Sequence, residues 1–167
     1  MRKIKKLVAT LLAATMVMAM GVTAFAADSL ADGKYTAKQN LYKNSACTTT
    51  SMGDAALNDM RAEITIADDE ATLVVHTHEI TYLGLTGHLG KMVVNGKTVT
   101  PKQTTTNGVT DYYFTFTGLD ASTIYEGCVI TGKFTTYVGS MPMNATGYLK
   151  LTDITAKIGR ASCRERV

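Results

Sequence analysis

Lys91-Met92-Val93-Val94-Asn95-Gly96-Lys97-Thr98-Val99-Thr100 is the stretch that decides the fold class. Strand-forming residues flank Asn95-Gly96 on both sides, and Asn-Gly supplies the two positive-φ positions that a type I′ turn requires. The segment therefore predicts a tight antiparallel hairpin. Asn107-Gly108 repeats the device ahead of Thr110 to Thr117, where Tyr112, Phe114 and Phe116 fall on one face and predict a core strand.

Outward from this centre the rhythm holds. Arg61 to Ala67 places Ala62, Ile64 and Ile66 on one face, and Asp68-Asp69 turns the chain into Ala71 to Thr77, a second predicted hairpin. Gly33 to Lys43 reads as a half-buried strand. The last pair is Cys128 to Val138 and Gly147 to Thr152, with Gly139-Ser140-Met141-Pro142-Met143-Asn144 as the joining turn. Ser51 to Met60 alone has helical spacing, through Met52, Ala55, Ala56 and Met60, with Ser51 as its cap. About eight short strands and one short helix define an all-β chain, an antiparallel β-sandwich or barrel.

The two ends belong to a different category. Arg2, Lys3, Lys5 and Lys6 precede an apolar run from Leu7 to Val22, and Ala24-Phe25-Ala26 supplies a small-x-small cleavage pattern. Residues 1–27 are expected to be a secretory signal peptide, which makes the mature protein secreted or displayed at the cell surface, with no membrane insertion after its removal. No cysteine follows the apolar run, so no lipid anchor is expected. Residues 158–167, Ile158-Gly159-Arg160-Ala161-Ser162-Cys163-Arg164-Glu165-Arg166-Val167, resemble the translation of a sequencing adapter and are set apart from residues 28–157, the expected domain. Further domains or a cell-wall anchor are then expected to lie beyond Lys157 in the native gene.

Setting the ends apart reverses the charge. The whole chain carries 17 Lys and Arg against 14 Asp and Glu, but residues 28–157 hold ten and thirteen, because four basic groups lie in the leader and three, with one acid, in the tail. A net charge of 10 − 13 = −3 gives no reason to expect nucleic acid as a partner. Cys47 and Cys128 are the two cysteines of this region, and spacing alone leaves both a disulfide and two small apolar fillers open. No Gly-x-Ser-x-Gly, His-Glu-x-x-His or phosphate-cradling glycine loop is present, so the chain is not expected to be an enzyme.

The opening Leu30-Ala31-Asp32-Gly33-Lys34-Tyr35-Thr36, then Leu41-Tyr42-Lys43, a short helix from Ser51-Met52, a run of hairpins and a final Tyr148-Leu149-Lys150-Leu151 resemble the NEAT (near-iron-transporter) domain of Gram-positive surface proteins. The resemblance spans Leu30 to Asp153. It implies an immunoglobulin-like β-sandwich that binds haem between the short helix and the last hairpin, takes it from haemoproteins or passes it to other haem carriers, and serves iron acquisition. On this resemblance Ser51 holds a propionate and Met52 covers one face of the ring, with Leu57 and Met60 in the apolar wall. Tyr137, Met141, Met143 and Tyr148 stand on the hairpin side. The family's Tyr-x-x-x-Tyr is absent, which marks a divergent, methionine-rich branch in which Tyr137 or Met143 is the expected iron ligand.

Two other functions follow from the residues themselves. The helix and hairpin rim suit a cofactor-free surface module that binds another protein. His76-x-His78, His88 and Met141-x-Met143 form a soft ligand set for copper, because i and i+2 side chains share one face of a strand.

Overall fold

A computed structural model describes residues 29–157, so the expected leader and tail both lie outside the described residues. Ten strands follow one another: β1 (Gly33–Tyr42), β2 (Arg61–Ala67), β3 (Glu70–His78), β4 (Ile80–Tyr82), β5 (Leu85–Val94), β6 (Lys97–Val99), β7 (Lys102–Thr106), β8 (Val109–Asp120), β9 (Val129–Val138) and β10 (Met141–Ala156). Every pairing is antiparallel, in the order β4-β5-β9-β10-β1-β2-β3-β8-β7, with β6 as a short partner of β5. The fold is an all-β sandwich. β1 joins its two halves, since it pairs with β10 on one side and with β2 on the other.

Turn chemistry explains the register. Asp68-Asp69, Leu83-Gly84, Asn95-Gly96 and Asn107-Gly108 all have positive φ at both positions, the geometry whose twist matches that of the flanking strands. Alternation then sends one side chain in two inward. Ile64, Leu73, Val75, Phe114 and Phe116 from one half meet Leu89, Met92, Phe134, Leu149 and Leu151 from the other in one buried cluster. Cys128 is a buried free thiol and Cys47 a half-buried one, so no disulfide joins them. Among the described residues no helix is long and apolar enough to cross a membrane.

Three expectations change. Ten strands replace about eight: β4, only three residues long, and β7, exposed at every position, are added because neither carries an apolar alternation. The helix is a single 3₁₀ turn, Met52–Ala56, with Ser51 Oγ accepting from the Gly53 N–H at 3.3 Å and Leu57 as the closing residue. A methyl at Gly53 would approach Leu41 to 3.2 Å and Leu89 to 3.4 Å, so the turn lies close against the sheet. Asp54 fixes it further, accepting from the Leu41 N–H at 2.6 Å. The final turn is Gly139-Ser140 alone, and Met141 to Asn144 are strand residues in register with Val138 to Thr135. Pro142 is tolerated there because β1 reaches β10 only from Tyr148 onward, leaving this stretch of β10 as a sheet edge.

Candidate ligand-binding cleft

Residues directly opposite one another in an antiparallel pair point to the same face. Across β5, β9 and β10 the row Met92, Phe134, Ala145, whose first two members are in the core, is followed by the row Leu89, Thr136, Met143. Next comes a row that reaches β4: Ile80, Gly87, Val138, Met141. The pair Tyr82 and Leu85 closes the series at the outer edge. The core face of this half therefore continues past the other half as a four-stranded floor.

The 3₁₀ turn stands over that floor. Between them is a cleft of about 440 Å³, walled by Met52 and Ala55 on one side and by Ile80, Tyr82, Leu85 and Val138 on the other. Gly87 contributes no side chain between Ile80 and Val138, and a methyl there would meet the Tyr137 carbonyl oxygen at 3.0 Å and Ile80 Cγ1 at 3.6 Å. Ser51, Asn58, Thr81 and Thr136 supply neutral polar groups, and Asp54 is the charged residue in the lining. The Ser51 hydroxyl accepts from Gly53 and keeps its own proton to donate.

The rim is apolar and open to solvent. Met52 is 53% exposed, Tyr82 56%, Leu85 50% and Met141 63%, and Met143 on the same face is exposed as well. Exposed apolar side chains gathered at one rim make it a candidate binding surface.

Of the residues singled out in the sequence, Ser51 and Met52 line the cleft, and Met141 and Met143 lie on its face one strand beyond Val138 and Thr136. Leu57 does not belong: its side chain is buried in the core, where it closes the 3₁₀ turn. Tyr137 is also misplaced as a cleft ligand. It alternates with Thr136 and Val138 and so projects from the opposite face of β9, where a methyl at Gly90 would meet its ring at 2.2 Å. There the ring stacks on His88 with centroids 5.3 Å apart, and His88 stacks in turn on Tyr112 at 4.8 Å. Tyr112 donates its hydroxyl to Glu79 at 2.9 Å, and burial together with that carboxylate pushes its pKa up to about 12. Tyr148 shares the parity of Tyr137 and lies between Thr131 and Tyr42, away from the cleft.

The copper set is dispersed. His76 and His78 stand on β3, His88 is held between two tyrosines, and β10 is separated from β3 by β1 and β2. His76 packs edge-on against Tyr113, and burial lowers its pKa. No group of three or more His, Cys, Asp or Glu stands in metal-holding range among the described residues.

Ile80, Tyr82, Leu85, Gly87, Thr136 and Val138 are cleft residues that the sequence reading missed. One signal was available. Tyr82-Leu83-Gly84-Leu85 crowds three large apolar side chains around a turn glycine, where a solvated hairpin tip has polar residues. No protein-family model and no curated protein matches the chain, so the cleft geometry carries the functional argument.

Proposed function

We propose that the chain is an exported, surface-associated carrier that binds haem or a related tetrapyrrole in this cleft and serves iron acquisition or haem transfer without catalysing a reaction. The observation that carries the reading is the slot itself. A four-stranded floor faces Met52 across a cleft of about 440 Å³, within the range of roughly 300–1,000 Å³ typical of small-molecule sites. The two segments that border it, Ser51-Met52 and the β9–β10 hairpin, are those to which the NEAT resemblance assigns haem. Apolar walls suit the macrocycle, and the Ser51 hydroxyl suits one carboxylate. With no basic side chain in the lining among the described residues, the second carboxylate is expected to face solvent.

Titration of the protein with haemin should shift the Soret band and saturate at one equivalent. Leu85→Asp should weaken binding by about tenfold, equivalent to roughly 1.4 kcal/mol, whereas Tyr137→Phe should leave the titration unchanged. An unaltered haemin spectrum at micromolar protein removes the reading.

The cofactor-free interaction module has one observation in its favour, the fully projecting Leu83 at the tip of the β4–β5 hairpin. It predicts a protein complex indifferent to haemin and lost in Leu83→Asp.

A further inference from the structure

Resting on the tetrapyrrole reading, the geometry points to Tyr82 as the iron ligand: we propose that its phenolate, on the β4–β5 hairpin, holds ferric haem while Met52 covers the opposite ring face. The side chains that ligate haem iron in proteins are His, Cys, Met and Tyr. Among the residues lining the cleft only two are of these types, Met52 and Tyr82. They stand on opposite walls, Met52 on the 3₁₀ turn and Tyr82 on the floor side.

The other candidates are engaged elsewhere. His88 is stacked between Tyr112 and Tyr137, His76 and His78 are on β3, and Cys128 is buried in the core. Tyr137 and Tyr148 project from the far face of the floor. Tyr35 donates its hydroxyl to the Ala31 carbonyl and Tyr112 to Glu79. Met141 and Met143 share the cleft face but stand one strand outside the lining.

Tyr82 has the freedom that the role needs. Its side chain is more than half exposed, at the outer end of the floor beside Leu85. A phenolate is a hard, anionic donor and so favours the ferric over the ferrous state, whereas the thioether of Met52 is a soft and weaker partner for that iron. The ligand thus comes from a different hairpin than the last one, which accounts for the missing Tyr-x-x-x-Tyr.

Parallel titrations of the full chain with ferric haemin and with metal-free protoporphyrin separate the ligand from the cleft. The wild type should bind haemin the more tightly. Tyr82→Phe should weaken haemin by tenfold or more, abolish the tyrosinate-to-iron charge-transfer band and leave protoporphyrin binding unchanged, and Tyr137→Phe should alter neither titration. Equal affinity of the wild type for both porphyrins, or an unchanged haemin spectrum in Tyr82→Phe, overturns Tyr82 as ligand while the cleft reading stands. Failure of the wild type to bind either porphyrin overturns both.

Discussion

The two ends of one sheet face behave oppositely. Around Met92 and Phe134 the inward side chains of β5 and β9 are sealed under the other half of the sandwich, whereas Leu85, a few residues back along β5, and Met141, beside β9 on β10, are half or more exposed. Alternation is the same at both ends, and only the covering differs. At the sealed end β3 and β8 supply the lid, and at the open end one 3₁₀ turn held by Asp54 and the close contact of Gly53 covers part of the floor. A cleft thus arises here without any special local structure, simply where a core face outruns its partner.

If that contrast is right, substitutions at the two ends should affect different observables. The largest effect is expected at the sealed end, where Phe114→Ala removes a fully buried ring and should cost about 3–5 kcal/mol in chemical denaturation. A loss below 1 kcal/mol would mean that the two halves are not packed as described. At the open end Leu85→Asp should lower porphyrin affinity while shifting the melting temperature by no more than about 2 °C, because a half-exposed side chain supports little of the fold.

A smaller effect, of opposite sign, is expected in the core between the ends. Gln39 donates through Nε2 to the His76 carbonyl, but Gln39 Oε1 and Thr77 Oγ1 are buried without a hydrogen-bond partner among the described residues. Replacing an unpaired buried hydroxyl by a methyl of the same shape removes a desolvation penalty, so Thr77→Val should be neutral or stabilising by up to about 1 kcal/mol. Marked destabilisation would show that the hydroxyl has a partner.

The smallest effect belongs to the surface. Arg61 and, after it, Lys38 hold the Asp153 carboxyl below the ordinary carboxylate range, at 3.2 and 3.4 Å. A carboxylate with a depressed folded-state pKa contributes stability above its unfolded pKa and loses it as pH falls through the folded value. Asp153→Asn keeps the positive φ that Asn tolerates. The wild type should melt slightly higher than this variant at neutral pH, and the gap should close as acid is added or as salt is raised to about 0.5 M. A gap that persists in acid would rule out this ion pair as its source.

The parts of the fold legible in the sequence were those that local chemistry determines. Asn95-Gly96, Asn107-Gly108 and Asp68-Asp69 form turns as expected, and Tyr112, Phe114 and Phe116 all face the core. Elements that tertiary contact determines were not legible. Met52, Ala55, Ala56 and Met60 have α-helical spacing, yet the segment stops after one turn because Gly53 and Asp54 are fastened to β1 and Asp59 takes a positive φ. Met141-Pro142-Met143 looks like a turn because proline usually breaks a strand, but an edge tolerates it. That misreading hid the parity of the hairpin, and with it the placement of Tyr137 on the wrong face for the cleft. Leu83-Gly84 was passed over because leucine is an uncommon residue at positive φ.

The position of β10 has a consequence for biosynthesis. Although last of the described strands, it lies inside the sheet, bonded to β9 on one side and to β1 on the other. A nascent polypeptide that ends before Met141 carries two raw borders at the middle of its sheet, and neither can be satisfied by local pairing. Closure therefore waits for translation of β10, and its pairing with β1 is a long-range event that is intrinsically slow. Premature termination should yield sticky, protease-sensitive fragments rather than a smaller working version of the molecule.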